Sequence, residues 1–412
     1  MRLEARIEEL AERYKAGQDV HLRIKLWNGR HVDLSSDPKV TITLTTPAAA
    51  LQLLRPNLSV LGEAYIEGKI ELEGPIGEVI RAGEAFTRRA TVRKPFAPWR
   101  LRSHSRRLDA EAIRHHYDVS NEFYQLWLDR EMVYSCAYFK TGQEDLHTAQ
   151  EQKLDHLCRK LMLRSGERFL DIGCGWGALI RWAVKHYGVT ATGVTLSRNQ
   201  YDYARERIQR EGLQDRCQVL LCDYRDLPVD ARYDKIASVG MVEHVGRKNF
   251  PVYFGVAHRH LTAGGLILNH GISTSESNDG AHALGGGDFI ERYVFPHGET
   301  PPLSLVLGEM GRQHLEVTDV ESLRPHYTQT LRLWVSRLEA HRSAALALVG
   351  EKRYRIWLIY MAACAHAFEQ GWVSVYQVLA GREDEGLQPL PWTREHVYRH
   401  DASTEPARTR WP

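Results

Sequence analysis

The sequence has few cysteines, and none of the six is arranged as in a disulfide framework or a zinc site. They form no C-x-x-C pair and show no ligand-like spacing with histidine: Cys136, Cys158, Cys174, Cys217, Cys222 and Cys364. Small secreted domains depend on dense disulfides, and structural zinc sites need closely spaced cysteine and histidine ligands. We therefore expect the protein to be in the reducing cytosol and to bind no metal.

The chain also lacks a long apolar run and a strong excess of one charge. No uninterrupted apolar segment approaches the ~20 residues needed to cross a bilayer. The N-terminus alternates charged and apolar residues, unlike a secretory signal. With 412 residues, 43% hydrophobic, 26% charged and a net charge of +2, the composition is that of a globular protein with room for two domains. Any contact with a membrane is expected to be made from its surface.

Residues 1–87 are predicted to form a small N-terminal domain. Short β-rich stretches at 40–44 and 64–72 lie between helical patterns at 3–14 and 75–86. No catalytic constellation occurs in this block, so chemistry is expected further along the chain.

The next segment, residues 88–110, is predicted to be a basic linker. Its first twenty residues hold eight lysines and arginines and no acid. Such a run is commonly a solvated connector. Attraction to anionic lipid, with Phe96 and Trp99 among the headgroups, is an equally open interpretation. Nucleic acid is a weaker one, because no recognition motif accompanies the run.

Residues 111–400 alternate strand-like and helix-like patterns, which is typical of a doubly wound, mostly parallel sheet in a Rossmann-like α/β fold. A helical pattern from Leu154, which Gly166 is predicted to end, precedes the first strand. The strand-like segments are RFLDI, VTATGVTL, CQVLLCDY, YDKIASVG, GLILNHGI, HLEVTDV and WVSVYQVL. After the fifth, a segment rich in glycine and proline at about 273–312 is predicted to cover a substrate.

The segment LDIGCGWGAL, residues 170–179, is the strongest local motif. Asp171 ends a predicted strand, and Gly173, Gly175 and Gly177 would let a ligand approach backbone N–H groups at the start of the next helix. The dinucleotide pattern G-x-G-x-x-G has a wider last spacing, and here an acid precedes the glycines. Asp171 can accept a hydrogen bond from the ammonium of a methionine moiety. S-adenosylmethionine is therefore favoured over a nicotinamide dinucleotide.

The second strand, VTATGVTL, lacks the acid that commonly binds ribose hydroxyls in such folds. Thr195 and Gln200 are the polar residues left for that contact.

Seven motifs in order resemble the cyclopropane-fatty-acid synthases and the related mycolic-acid cyclopropane synthases: HYDVSNEFYQLWLD, YSCAYF, LDIGCGWG, GVTLSRNQ, DYRDL, MVEHVG and FIERYVFP. The resemblance runs from about residue 115 to 382 and includes the T-L-S-x-N-Q variant of the second strand. The first hundred residues are less sharply similar to the N-terminal domain of the phospholipid-acting branch. The family resemblance implies a class I methyltransferase fold with a seven-stranded sheet. It also implies a reaction that transfers a methyl(ene) carbon to the cis double bond of a phospholipid acyl chain and closes a cyclopropane ring.

The resemblance also implies site residues. Contacts with S-adenosylmethionine would be made by Tyr134, Ser135, Asp171, Gly173, Gly175, Thr195, Leu196, Gln200, Asp223 and Tyr224. A bicarbonate ion, which serves as the base in the family, would be held by Cys136, Glu243, His270, Ile272 and Tyr327. Cys364 matches a position that the family often marks as active, although the reaction needs no sulfur nucleophile. Candidates for stabilising a carbocation are the aromatic residues Tyr293, Phe295, Tyr327 and Trp334.

Other interpretations stay open at this point. Taken singly, Glu243 could cap a helix, and His270 and Tyr327 could be core residues. Methyl transfer without ring closure would give a methyl-branched or methylene product, and a lipid-binding module without catalysis is a further alternative. A nucleic-acid methyltransferase is less favoured. The resemblance also implies a peripheral location at the inner membrane face and a possible homodimer.

Overall fold

The computed structural model describes most of the chain, and the described residues contain two β-sheets. The described ranges are 3–15, 20–54, 57–90, 119–274, 286–295, 298–383 and 391–398. The predicted basic linker lies outside them except for residues 88–90, so its contact with lipid stays a prediction.

The N-terminal elements surround a four-stranded sheet of order β2-β1-β3-β4, in which β1 and β3 are parallel and the other pairs antiparallel. The elements are α1 (Leu3–Lys15), β1 (Leu22–Lys25), β2 (His31–Asp33), β3 (Val40–Leu44), α2 (Ala50–Leu54), α3 (Leu58–Ile66), β4 (Ile70–Glu73) and α4 (Ile76–Ala90). The strand predicted at 40–44 is confirmed. The β stretch predicted at 64–72 is confirmed at 70–72, which lie in β4, and is wrong at its start, because Asn57 caps a helix that continues through Ile66.

The remaining elements build the larger part of the molecule. They are α5 (Asn121–Gln125), α6 (Leu146–Lys160), β5 (Arg168–Ile172), α7 (Ala178–Tyr187), β6 (Thr190–Thr195), α8 (Arg198–Arg210), β7 (Cys217–Leu221), β8 (Tyr233–Val239), α9 (Val242–Val245), α10 (Phe250–His260), β9 (Leu261–Thr274), α11 (Gly286–Tyr293), α12 (Leu303–Arg312), β10 (Leu315–Ser322), α13 (Arg324–Ala340), α14 (Arg342–Glu369), β11 (Val373–Arg382) and α15 (Glu395–Tyr398). Helix α14 is interrupted at Gly350, where φ is 74°.

All seven strand-like segments predicted for this part are strands of one sheet, which confirms the fold class. The order is β10-β11-β9-β8-β5-β6-β7, and β11 alone runs against its two neighbours. The chain moves outward from β5 to β7 and then returns to the other side of β5 with β8. Ligands of open α/β sheets bind at the carboxyl ends of strands where the order reverses in this way. That crevice lies between β5, β6 and β8.

Two local expectations differ from the structure. Gly166 does not end α6, which stops at Lys160, and instead adopts φ 88° in the turn before β5. The predicted cover segment at 273–312 also contains regular structure in the part that is described, which its glycine and proline content does not indicate. Its described residues include the last two residues of β9 and the helices α11 and α12.

The cover helix α11 packs against the N-terminal helix α3. An ideal Cβ on Gly62 of α3 would lie 3.0 Å from the ring of Phe289 in α11. An ion pair between Arg292 and Glu63 joins the same two helices. Helix α14 adds a second connection, because Arg355 bonds both the carbonyl of Tyr65 and the carboxylate of Glu71, each at 2.8 Å. The N-terminal elements therefore contact the cover and α14 directly.

Replacing Gly62 with valine should destabilise the protein, because the added side chain must displace the Phe289 ring. Overpacking of this kind costs about 1–3 kcal/mol. Urea unfolding of the full chain measures the loss. Gly77→Val is the matched control, since Gly77 also lies in a helix and nothing lies within 4 Å of an ideal Cβ there. Equal stability of the two variants would contradict the close α3–α11 contact.

Candidate active site

A cavity of about 140 Å³ opens at the crevice between β5, β6 and β8. The structure brings to it all ten residues that the sequence predicts for S-adenosylmethionine: Tyr134, Ser135, Asp171, Gly173, Gly175, Thr195, Leu196, Gln200, Asp223 and Tyr224. They come from the ends of three strands and from the segment before α6, so they are distant in sequence and meet only in the fold.

The glycine-rich turn after β5 is tightly fixed by its neighbours. The backbone N–H groups of Gly173 and Cys174 both donate to the Val194 carbonyl at 3.0 Å. Gly173 has φ 81°, and a Cβ on it would overlap the Met241 sulfur. Only glycine satisfies both conditions. Because these two N–H groups are already used, a ligand would approach the turn further along, from Gly175 onward.

Asp171 presents an unsatisfied oxygen to the cavity. The residue is 3% exposed, and its Oδ1 has no hydrogen-bond partner among the described residues. Burial raises the pKa of this carboxyl to about 7, against the opposing effect of the nearby Lys153 ammonium. A buried acceptor without a partner costs about 1–3 kcal/mol. A ligand ammonium would remove that cost, so the site fits the methionine end of the predicted cofactor.

The structure gives a role to the two residues that replace the usual acid after β6. The Thr195 hydroxyl donates to Gln200 Oε1 at 2.8 Å. Ser197 caps α8 by accepting from the Gln200 backbone N–H at 3.4 Å. Thr195 therefore orients the Gln200 amide, whose nitrogen is then the donor available to ribose hydroxyls.

Helix α6 positions the segment that carries Tyr134 and Ser135. The Gln150 amide donates to the Ser135 carbonyl, and the Lys153 ammonium donates to Ser135 Oγ, both at 2.9 Å. Asp129 holds the start of this segment by accepting from the Val133 backbone N–H at 2.8 Å. Lys153 also lines the cavity, and the sequence did not predict it as a site residue. The sequence offers no clear signal for it, because the buried face of α6 also holds Gln150, His156 and Lys160.

Glu243 and Ile272, two members of the predicted anion set, are in direct contact. The Ile272 backbone N–H donates to Glu243 Oε1 at 2.6 Å. Glu243 Oε2 is shielded from solvent and has no partner among the described residues. Burial raises the pKa of the carboxyl to about 7, although the Ile272 bond lowers it. The carboxyl is therefore partly protonated at neutral pH and can donate a hydrogen bond.

His270 lies two residues before Ile272 on β9 and is 2% exposed. Burial first, and then the positive charge of Lys153, lower its pKa to about 3, so the ring is neutral. The Gln377 amide lies 3.3 Å from His270 Nδ1. If the amide donates there, the remaining proton is on Nε2, which can serve as a donor. Gln377 was not predicted from the sequence.

Cys136 and Tyr327 reach the same edge of the sheet through Leu323. The Cys136 thiol lies 3.8 Å from the Leu323 carbonyl, which also accepts the Tyr327 backbone N–H at 3.0 Å. Leu323 donates in turn to Val375 at 2.9 Å, and Val375 is paired with Ile272 across β11 and β9. All five predicted anion ligands thus gather at the ends of β9 and β11, beside the cofactor cavity. Burial raises the pKa of the Cys136 thiol, so it is not a thiolate nucleophile.

Cys364 lies on α14 beside the Tyr360 phenol. Burial raises the pKa of the thiol to about 12, and the hydrogen bond with Tyr360 opposes this only in part. The residue is a neutral thiol at physiological pH. Its chemical role stays a prediction.

The aromatic residues predicted to face a carbocation divide into two groups. Trp334 packs on Tyr134 with ring centroids 5.3 Å apart, and Tyr327 lies 6.1 Å from Trp334. Phe295 lies 5.8 Å from Tyr360, whose phenol interacts with the hydroxyl of Tyr134. These three predicted residues therefore surround the Tyr134 side of the cavity. Tyr293 instead lines a second cavity with Arg292, Arg353 and Trp357.

Replacing Asp171 with asparagine should weaken binding of S-adenosylhomocysteine roughly 10- to 100-fold, because a charge-assisted hydrogen bond is lost. In the unchanged protein Asp171 is neutral below its pKa of about 7 and ionised above it. A ligand ammonium needs the ionised form, so affinity should fall roughly tenfold per pH unit below 7. Calorimetric titration between pH 5.5 and pH 8 measures both effects.

The Asp171→Asn variant should lose this pH dependence, whereas Asp155→Asn, which alters a carboxylate outside the cavity, should keep it. An asparagine variant that retains the full affinity and pH profile would remove Asp171 from the site.

Two family models match the chain. A family model described as mycolic acid cyclopropane synthetase matches residues 104–378, and one described as a domain of unknown function matches residues 10–90. A probable fatty acid methyltransferase of Pseudomonas putida is 48% identical, over 95% of this chain and 100% of the relative. The cyclopropane-fatty-acyl-phospholipid synthase of Escherichia coli (strain K12) is 33% identical, over 85% of this chain and 90% of the relative.

A solved structure of a cyclopropane synthase is also similar to this chain. The mycolic acid cyclopropane synthase CmaA1, crystallised in complex with SAH and CTAB, superposes with a TM-score of 0.63 at 34% identity. The match covers 66% of this chain and 98% of that protein.

Proposed function

The chain belongs to the mycolic acid cyclopropane synthetase family of S-adenosylmethionine-dependent methyltransferases, and from this premise we propose that it forms cyclopropane rings in membrane phospholipids. The reaction would add a methyl(ene) carbon to the cis double bond of an unsaturated acyl chain. The observation that carries the proposal is the buried Glu243 carboxyl, fixed by the Ile272 N–H beside neutral His270, with one oxygen unsatisfied in the described part of the chain.

The cofactor cavity has the groups that this chemistry needs. S-adenosylmethionine, when bound, supplies an electrophilic methyl group. Asp171 would accept its ammonium, and Gln200, oriented by Thr195, would bond the ribose. Gly173, where a side chain would overlap Met241, fixes the conformation of the turn. Together these residues would orient the cofactor, and orientation matters because an alkene is a weak nucleophile.

A dry aromatic wall stands beside this cavity. Trp127 and Trp334 are almost fully buried, and both indole N–H groups lack a partner among the described residues. Tyr134 packs on both rings, at 5.4 and 5.3 Å. Methyl transfer to an alkene leaves a carbocation that water would trap. Aromatic rings stabilise a desolvated cation by about 2 kcal/mol and keep water away.

Ring closure requires removal of a proton from the transferred methyl group. Bicarbonate, when bound, supplies a base that leaves after taking the proton. Glu243 in its protonated form and His270 through Nε2 would each donate a hydrogen bond to such an anion, and the Tyr327 phenol would add a third. The Ile272 N–H is already donated to Glu243, so its part is to orient that carboxyl.

The lipid substrate is supported by the Escherichia coli relative, a cyclopropane-fatty-acyl-phospholipid synthase that matches 85% of this chain. Among the described residues, no helix has the length and apolarity to cross a membrane. We propose that the enzyme acts at the membrane surface, and that the positive charge of residues 88–107 attracts it to anionic lipid. The cytoplasmic location and a homodimer stay predictions.

A second function is favoured by the relative from Pseudomonas putida, a probable fatty acid methyltransferase at 48% identity. The same methyl transfer without ring closure would give a methyl-branched or methylene chain. All these products start from the same carbocation. Loss of a proton from the new methyl group gives a ring or a methylene, loss of a chain proton gives a methyl-branched alkene, and a saturated branch also needs a hydride from an added reductant, so the product decides between them.

The proposal is tested by incubating the protein with S-adenosylmethionine carrying a trideuterated methyl group and with vesicles of cis-monounsaturated phosphatidylglycerol and phosphatidylethanolamine. Ring closure should leave two deuterium atoms in the acyl chain, whereas a methyl-branched alkene formed by loss of a chain proton keeps three; a saturated branch would also keep three but needs an added hydride donor. Mass spectrometry counts the label, and carbon NMR separates a ring from a methylene group. Transfer should fall in buffer purged of carbon dioxide and return when bicarbonate is added. Absence of any label in lipid would contradict the proposal.

Replacing Glu243 with glutamine should lower turnover by about 100-fold or more, because the amide keeps a hydrogen-bond donor but, unlike the carboxyl, cannot exchange a proton with the bound anion. Affinity for S-adenosylhomocysteine should stay within about threefold, since Glu243 is not a predicted cofactor contact. Glu309→Gln is the matched control, because Glu309 is a buried carboxylate on α12 that bonds Arg312 and Gln313. Wild-type turnover in the Glu243 variant would remove this residue from the reaction.

A further inference from the structure

Lys153 is a buried cation in the wall of the cofactor cavity. Its side chain is 2% exposed, and it is among the residues that line the cavity. An ammonium has three N–H donors. Within the described part of the chain, one of them bonds Ser135 Oγ at 2.9 Å, and no carboxylate forms an ion pair with it. Two donors are therefore left for a ligand.

The carboxylates that interact electrostatically with Lys153 do not form close ion pairs that would compensate for its burial. Asp129 interacts with it electrostatically, but its oxygens already accept the backbone N–H groups of Glu131 and Val133 at 3.0 and 2.8 Å. Asp171 faces the same cavity with one oxygen unsatisfied among the described residues. Burial lowers the pKa of Lys153 to about 8, so the ammonium is largely charged at neutral pH. A buried charge without a close partner is expensive.

A cation and an anion that face one cavity without pairing are complementary to a zwitterion. The amino-acid end of S-adenosylmethionine is one, with an ammonium and a carboxylate on the same carbon. Asp171 matches the ammonium. Lys153 matches the carboxylate, and Ser135 Oγ, which accepts from Lys153, keeps its own proton to donate to the same group.

We propose that Lys153, with Ser135, binds the α-carboxylate of the cofactor and so makes the site selective for the intact amino acid. This inference rests on the cofactor part of the proposed function and not on its lipid part. Lys153 acts as a binding residue, whereas a merely structural Lys153 would balance the charge of Asp129 and Asp171 and have no preference for a carboxylate.

The test compares two probes by calorimetry at pH 7.5: S-adenosylhomocysteine and its decarboxylated analogue. The unchanged protein should bind S-adenosylhomocysteine about 10- to 100-fold more tightly, as expected for hydrogen bonds between charged groups. In Lys153→Met this ratio should fall to near one. Any change in the charge of Asp171 would affect both probes alike, so the ratio isolates the carboxylate contact. The assay needs no lipid, so a failure of the proposed lipid reaction leaves its outcome intact.

Two further variants complete the design. Lys153→Gln keeps hydrogen-bond donors without the charge, should give an intermediate ratio, and replaces the methionine variant if that one does not fold. Lys235→Met removes another lysine that is 2% exposed, on β8 near Glu167, and should keep the wild-type ratio.

The proposal is overturned if the ratio in the Lys153 variants equals that of the unchanged protein. A Lys153 variant that keeps the wild-type ratio of affinities for the two probes but needs more bicarbonate for methyl transfer also overturns it. Lys153 would then bind the anion beside His270 and not the cofactor carboxylate.

Discussion

Exclusion of water from the carboxyl edge of the large sheet is the constraint on which the rest of the structure depends. Asp171 and Glu243 each hold one oxygen there without a partner among the described residues, and Lys153 is buried near Asp171. Such groups are costly to desolvate, by several kcal/mol for an ion. The sheet tolerates them because its central strands are buried on both faces and form a rigid frame around the cavity. The cost is offset when a ligand of complementary charge enters.

The N-terminal elements contribute to this frame from outside. Helix α14 carries Trp357, Tyr360 and Cys364 toward the aromatic side of the site. On another face the same helix meets α4, where His366 and Glu84 form a buried pair. The cover helix α11 is held by α3 through Phe289 and Gly62. Helices α3 and α4 of the N-terminal block therefore contact α11 and α14, and α14 is the one that carries aromatic residues of the site.

The sequence predicted the parts of the site that follow from local patterns. Alternating strands and helices identify the sheet, and a strand that ends in Asp171 before Gly173 marks the cofactor turn, because the carboxyl ends of parallel strands share one edge. Lys153 and Gln377 were missed because a polar residue on a helix or strand predicts no contact until the partner is known. Residues 64–66 were misread as β structure, since a short apolar run fits a helix and a strand equally well. The family resemblance supplied the anion set, which no local pattern indicates.

Burial also decides which groups near the site can react with a carbocation. An ionised carboxylate or a thiolate would be alkylated by such a cation. The raised pKa values keep Cys136 and Cys364 as thiols and leave Glu243 partly protonated. Each shift has burial as its largest cause. In the proposed reaction, the same burial that would keep water from the cation therefore also makes these three side chains poor nucleophiles, so that loss of a proton to the proposed anion, and not attack by the protein, would end the reaction.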